Sequence, residues 1–240
     1  VFNFLRRKKS PEIEHFISGI KTDMHSHLIH AVDDGAKSIE ESIIMIRRLV
    51  DIGYEKIITT PHIMSDMYPN EPETLRYRQS MLRHEVHDAG LSVDFLCAAE
   101  YLLDDGFEDK LESGLLMTFG EKYLLFEMGF FNEYPALESA IFKLKLAGYQ
   151  PVLAHVERYP YYFSKKERLE EIQDKGISFQ LNLFSLFGYY GEEVKKMAQY
   201  LLDNKYYQLV GTDLHNESQL DIWQKSWKKM VKEARYLTEY

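Results

Sequence analysis

Hydrophobic and polar positions come in blocks along this chain, and successive blocks switch period. Short apolar runs rich in β-branched and aromatic residues, such as Lys56–Thr60 and Tyr123–Glu127, have the length and composition of buried strands. Between them lie longer stretches whose apolar residues recur every three or four positions, the spacing of one helix face. In Ser38–Gly53 the residues Ile39, Ile43, Ile46, Leu49 and Val50 form such a stripe. Ser38 is placed to cap its start, Glu41 follows three residues on, and Gly53 lies past its end. The pattern predicts strands at Met24–His27, Lys56–Thr60, Val93–Glu100, Tyr123–Glu127, Pro151–His155, Ile177–Leu181 and Gln208–Gly211. It predicts further helices over Pro72–Ala89, Phe107–Ser113, Tyr134–Ala147, Lys165–Lys175, Glu192–Asn204 and Glu217–Tyr236.

Regular alternation of strand and helix predicts a parallel sheet. Seven such units within 240 residues, with chemistry-bearing residues on most strands, predict a closed α/β barrel. An open sheet would gather its ligands at one switch point instead. No repeat, low-complexity tract or Gly/Ser linker interrupts the alternation, so residues 21–240 read as a single domain. Residues 1–20 read as a basic lead-in, with Arg6, Arg7, Lys8 and Lys9 forming a solvated run rather than a lipid-binding one.

Composition narrows the function. At 45% hydrophobic the chain can bury a full core, and its net charge of −9 argues against a nucleic-acid partner. An anionic substrate stays open, because bound cations reverse the local sign. No apolar run reaches the 18 residues of a membrane span. The single cysteine, Cys97, excludes an internal disulfide, suits a cytoplasmic setting and reads as part of a buried strand.

The chemistry lies at the predicted strand ends. His25 and His27 end the first strand, and residues two apart on a strand point to the same side. Asp213 and His215 repeat that spacing after the last. His62, Glu100, Glu127 and His155 end the strands between, and Asp34 sits in the loop after the first. Each alone has a plain reading: a single His after a strand is commonly a hydrogen-bonded structural residue, and a Glu there commonly caps the next helix. Six contributing strands together point instead to a multinuclear metal site, since strand C-termini are the chemical face of a parallel barrel. The remaining histidines, His15, His30, His84 and His87, read as non-ligands.

Taken in order, Asp23-x-His25-x-His27, Asp33-Asp34-Gly35-Ala36-Lys37, Thr60-Pro61-His62, Glu100, Glu127, His155-x-Glu157-Arg158-Tyr159 and Asp213-x-His215-Asn216 resemble the motifs of the polymerase-and-histidinol-phosphatase (PHP) superfamily. The likeness is greatest to its bacterial protein tyrosine phosphatases that accompany capsule and exopolysaccharide kinases. The resemblance implies a distorted seven-stranded (β/α) barrel of the PHP type. It implies up to three divalent ions, Mn²⁺ first, with Fe or Zn²⁺ as alternatives that mixed His and carboxylate ligands also suit. His25, His27, Glu100 and Asp213 would hold one ion. Glu100 would bridge to a second held by Glu127 and His155, and Asp34, His62 and His215 would complete a third, with Asp34 preferred to its neighbour Asp33. The metal-holding Glu100 and Asp213, with Arg158, would be catalytic. Five imidazoles and four carboxylates carry about −4, and three divalent ions with one hydroxide turn that to about +1, a field that draws in a phosphomonoester.

The implied reaction is direct attack of metal-bound hydroxide on phosphorus, without a covalent enzyme intermediate. Cys97 has no arginine at the spacing thiol-based phosphatases require. Arg158 is the candidate phosphate clamp because its planar fork can hold two phosphoryl oxygens. The plain alternative is an ion pair with Glu157 or Glu167. Lys37 is a second candidate substrate contact. One departure stands out: the stretch after His215 lacks the second arginine that such relatives carry, and the nearest cations are Lys225 and Lys228. Aromatics crowd the predicted top loops, among them Phe130, Phe131, Tyr161, Tyr189 and Tyr190, to line a phosphotyrosine slot or to pack on other loops or a second subunit, so a homo-oligomer stays open. The expectation is therefore a phosphatase for a phosphotyrosine-bearing protein, the tail of a bacterial tyrosine kinase. A small-molecule phosphatase, such as one for histidinol phosphate, and a catalytically weak kinase-tail binder are the rivals.

Overall fold

A computed structural model describes residues 19–225. The basic run at residues 6–9, His15, Lys228 and the end of the predicted closing helix lie outside the described residues. Among the described residues are nine strand segments: β1 (Thr22–Asp23), β2 (Lys56–Thr59), β3 (His62–Ile63), β4 (Asp94–Cys97), β5 (Glu100–Leu102), β6 (Tyr123–Glu127), β7 (Gln150–Leu153), β8 (Ser178–Asn182) and β9 (Tyr207–Gly211). Every pairing between them is parallel.

The segments follow the seven predicted strand lines. β2 runs into β3 across Thr60-Pro61, and β4 into β5 across Ala98-Ala99, so one set of three segments (β1-β2-β4) joins a set of six (β3-β5-β6-β7-β8-β9). Proline has no N–H to give a ladder, which interrupts the pairing at Pro61. The hydrogen bonds bridge the gap nonetheless: Ala98 N donates to Thr59 O at 2.9 Å and Glu100 N to Pro61 O at 3.1 Å. The last line returns to the first through a parallel bridge between Ser26 and Leu214, where His27 N donates to Leu214 O at 2.9 Å and Asp213 N to His25 O at 2.7 Å.

The first strand differs from the expected Met24–His27. Regular pairing stops at Asp23; beyond it Ser26 O accepts from Thr60 N at 2.7 Å and from Thr59 Oγ1 at 2.8 Å, and Thr59 Oγ1 accepts from Leu28 N at 2.9 Å. The strand expected to reach His155 ends at Leu153, since His155 adopts a left-handed backbone (φ 34°). A short helix at Leu183–Leu186, capped by the Asn182 side chain on Phe184 N, has no counterpart in the periodicity reading.

The helix Ile39–Ile52 shows how local chemistry sets the boundaries. Ser38 Oγ accepts from Glu41 N, and Gly53 takes φ 116°, a conformation costly for a residue with a Cβ, so that its N–H closes on Leu49 O and Val50 O. Met45, Ile46 and Leu49 are fully buried, which turns the face slightly from the expected stripe and leaves Ile43 and Val50 at its edge. Each such side chain contributes about 1.5–3 kcal/mol on burial. The two large apolar clusters lie where helices meet strands. Two small ones, Met24, Ile58 and Ala98, and Leu125, Val152 and Ala154, share Phe119 and Leu209 and sit among the strands. Among the described residues no helix is long and apolar enough to cross a membrane.

Candidate metal centre

The two ends of the strand circuit are tied beside the site by a buried carboxylate. Asp23 accepts from Thr212 N at 2.8 Å and from Thr212 Oγ1 at 2.7 Å. Burial pushes its carboxyl up to about 6, against those hydrogen bonds. The tie brings the segments bearing His25, His27, Asp213 and His215 into one sheet end.

Three groups of donor atoms result. In the first, His25 Nε2 lies 3.3 Å from His27 Nε2, 3.2 Å from Glu100 Oε2 and 3.3 Å from Asp213 Oδ1. In the second, His62 Nδ1 lies 3.1 Å from Glu100 Oε2 and 3.2 Å from Glu127 Oε1. His155 Nε2 is beside it, 3.1 Å from Glu100 Oε1 and 3.7 Å from Glu127 Oε2. In the third, Asp34 Oδ1 lies 3.5 Å from His62 Nε2 and 3.4 Å from His215 Nε2, with His27 close enough to share it. Glu100 thus belongs to two groups, His62 to two and His27 to two. All nine candidate ligands come together. The groupings differ from the expected partition in three places: His62 joins the second set, His27 the third, and His155 lies beside the second set rather than within it.

These residues fit divalent ions. Glu100 Oε2, Glu127 Oε1 and His62 Nδ1 are buried without hydrogen-bond partners, although the two carboxylate oxygens lie 3.1 and 3.2 Å from the His62 nitrogen. Atoms left so are arranged around points between them rather than toward each other. The charges agree. Burial and the neighbouring His27 both oppose a charge on His62, yet Glu100 and Glu127 raise its imidazole to about 10. Burial would raise Glu100, but His25 and His62 hold it well below the usual carboxylate range. Asp213 is lowered in the same way, against burial, by His25 and His215. The raised imidazoles of His25, His27 and His62 offset the lowered carboxylates of Glu100 and Asp213, and protons held there are what a cation would displace.

Around the candidate ligands is a set of orienting groups, of which the motif reading named only Asp33, as the alternative to Asp34. Gln180 Oε1 accepts from His25 Nδ1 and from His155 N, both at 3.0 Å. With its Nδ1 so engaged, His25 turns Nε2 to the site. Asp33 does the same for His27, at 2.8 Å from Nδ1, and also accepts from His62 N at 3.0 Å and Gly35 N at 2.9 Å. The Asp-Asp-Gly element therefore divides its labour: Asp33 is buried and orients, while Asp34 is half open to solvent and faces the third group. Gly35 follows because any Cβ there would collide with the backbone and Cβ of His27. Asn182 Nδ2 donates to Asp213 Oδ2 at 2.9 Å. Gln180 and Asn182 are two apart on β8, a spacing that places both on one face, but a polar pair in a strand carries no motif. His155 and Asp213 both have positive φ, 34° and 53°. Non-glycine residues held there cost about 1–3 kcal/mol each, and such strain gathers at functional sites.

Arg158 pairs with neither Glu157 nor Glu167. Its Nη1 donates to Asp213 Oδ2 at 2.7 Å. Glu157 is buried elsewhere, accepting from Asn182 N, Ser185 Oγ and Tyr207 OH. Lys37 is exposed, with Nζ 3.4 Å from Asp33 O. His30 lies in the loop after the first motif, and His84 and His87 lie on an exposed helix face, each outside the three groups. Cys97 ends β4 with its thiol on Ala98 O, and burial pushes that thiol far up.

A parallel α/β barrel with clustered His and carboxylate donors at its strand ends is the architecture of a metal-dependent hydrolase. The chain belongs to the Capsular polysaccharide synthesis, CpsB/CapC family, which matches residues 21–234. It is 31% identical over 195 residues to tyrosine-protein phosphatase YwqE of Bacillus subtilis, covering 81% of this chain and 77% of that protein. It is 29% identical to tyrosine-protein phosphatase CpsB of Streptococcus pneumoniae, covering 81% and 82%. One chain among the crystal structures of YwqE from Bacillus subtilis and CpsB from Streptococcus pneumoniae, described as metal-dependent tyrosine phosphatases, shares the fold at a TM-score of 0.76 and 29% identity, covering 85% of this chain and 86% of its own. A second solved structure, hisK from Listeria monocytogenes, shares the fold alone, with a TM-score of 0.51 and 12% identity over 83% of this chain and 97% of its own. The PHP-type resemblance read from the motifs and the barrel class it implied are both borne out.

Proposed function

We propose that this chain is a metal-dependent phosphomonoester hydrolase acting on protein phosphotyrosine. The observation that carries the reading is the convergence of three donor groups on shared Glu100 and His62, with Arg158 anchored to one of the donors. The printed activities of the relatives at about 30% identity support the substrate class.

In this reading His25, His27, Glu100 and Asp213 hold one ion. Glu100, Glu127 and His155 would hold a second, and Asp34, His62 and His215 a third, with His27 counted once because Asp33 engages its Nδ1 and leaves one nitrogen for an ion. Mn²⁺ heads the candidates, with Fe or Zn²⁺ behind it, as oxygen-and-imidazole sets accept all three. Bound divalent ions supply Lewis acidity toward phosphoryl oxygens and lower the pKa of water. The protein does the rest by position. Gln180 and Asp33 fix the faces of His25 and His27. Asn182 and Arg158 hold Asp213 at one oxygen and leave the other for the cluster. The outer N–H groups of Arg158 receive phosphoryl oxygens, and Lys37 adds positive charge at the exposed rim.

The substrate is a phosphotyrosine on a partner protein, the tail of a tyrosine kinase of capsule or exopolysaccharide synthesis. The family's description supports that setting. We place the protein in the cytoplasm, where a lone thiol such as Cys97 stays reduced. Residues 21–240 form one domain after the basic lead-in, which the span of the family match supports. A homo-oligomer is compatible with the exposed aromatics of the top loops. The test is turnover of a phosphotyrosyl peptide against histidinol phosphate, each with and without chelator. Chelator-sensitive cleavage of the peptide in preference to histidinol phosphate is expected. Preference for histidinol phosphate, or none for either, would overturn the assignment.

A further inference from the structure

Arg158, the candidate phosphate cation, is walled by aromatic rings. Its Cζ lies 4.1 Å from the centroid of Tyr190 and 4.9 Å from that of Phe130. Phe130 also faces His155, with centroids 5.9 Å apart and planes at 26°. One ring thus borders both a metal-donor residue and the guanidinium. Tyr190 is tied to the same network, since its hydroxyl and Asp213 Oδ2 both receive the Asn182 amide, at 3.1 and 2.9 Å. The loop that presents Phe130 is pinned on both sides of it. Tyr161 OH donates to Gly129 O at 3.2 Å, and Glu133 accepts from Tyr162 OH at 2.7 Å and from Arg168 at 2.7 Å. Between those anchors Phe130 is 39% exposed and Phe131 98% exposed.

We propose that Phe130 and Tyr190 form an aryl-selecting slot, making them specificity-determining residues for phosphomonoesters of aromatic rather than alkyl hydroxyls. The inference rests on the phosphatase reading above. With rings over the guanidinium and one N–H on Asp213, Arg158 has only its remaining N–H edge to offer a phosphoryl group. An ester substituent leaving that edge runs past the open part of Phe130. An aromatic substituent meets it with stacking or edge-to-face contact, whereas a methylene offers little area. The anchors on Gly129 and Glu133 hold the ring in place before substrate arrives, so little ordering cost opposes the contact.

Calorimetry on the metal-loaded protein tests the slot without hydrolysis, using phenylphosphonate and methylphosphonate as probes. Phenylphosphonate should bind about tenfold tighter, the scale of one aromatic contact. Phe130→Ala should bring the two to near equality by weakening phenylphosphonate alone, and Phe130→Tyr should restore the preference. Phe131→Ala should keep it. Equal binding in the unaltered protein, or a preference that survives Phe130→Ala, would overturn the proposal, as would equal loss in Phe131→Ala. Turnover of a phosphotyrosyl peptide by the same unaltered sample reports separately on the phosphatase reading, because that reading can fail while the ring preference holds.

Discussion

Replacing Gln180 with leucine should weaken the metal centre without touching a donor atom. The amide oxygen of Gln180 accepts from His25 Nδ1 and from His155 N, and the residue is fully buried. Leucine has a similar bulk and no acceptor, so two buried N–H groups lose their partner. Each orphaned donor costs about 1–3 kcal/mol, which sets the loss of folding stability at roughly 2–6 kcal/mol before any water enters. The loss at the site is more specific. His25 is no longer held with Nε2 toward Glu100 and Asp213, and changes in such supporting partners weaken metal binding about 10–100-fold. Gln180→Glu keeps an acceptor for both N–H groups, but it replaces the amide donor that serves Leu181 O at 2.6 Å. It should therefore lose stability while keeping most of the metal affinity. Denaturant melts of the chelated protein and metal titrations of the folded variants separate the two effects. Unchanged metal affinity in Gln180→Leu would refute the claim that this amide sets the orientation of His25.

Glu100→Gln removes charge from two donor groups at once, so turnover should fall at least about a hundredfold and metal content should drop; elemental analysis beside a rate assay checks both. Arg158→Ala should lower kcat/KM by about 10²-fold, or about 3 kcal/mol of transition-state stabilisation, and Arg158→Lys should rescue it poorly because the planar fork is lost; near-normal kcat/KM in Arg158→Ala would remove the clamp. For the chelated protein, His62 is raised from 6.5 to about 10 against the opposition of burial and His27, so the folded state binds that proton more tightly than the unfolded chain. Its stabilisation is complete below pH 6.5 and is lost as pH rises toward 10, so denaturant midpoints should fall across that window, and a flat profile would contradict the charge balance drawn for the cluster.

The strand lines and eight of the nine candidate ligands were legible because those eight lie at or just past the end of a β-branched or apolar run, and because His25 and His27, like Asp213 and His215, keep the two-residue spacing of one strand face; Asp34, in a loop, was legible only through its motif. Breaks within the lines were not. Pro61 was visible, but the Thr59 hydroxyl that joins Thr60 N on Ser26 O is a contact 33 residues distant in sequence. The orienting groups were hidden for the same reason. Gln180 lies 155 residues from His25, and nothing local distinguishes it from any strand glutamine. Asp33 and Asp34 stood together in the motif, yet their division into a buried orienting carboxylate and an open donor depends on how Gly35 lets the loop close on His27. The partner of Arg158 was sought among nearby glutamates and found 55 residues away, on Asp213.

The most direct test of the account is the metal content of protein purified without chelator, measured beside its hydrolysis of a phosphotyrosyl peptide, before chelation, after it, and after adding back Mn²⁺. The account predicts more than one transition-metal ion per chain, loss of hydrolysis as the ions are removed, and its return with Mn²⁺. Full hydrolysis after verified removal of every ion would contradict it.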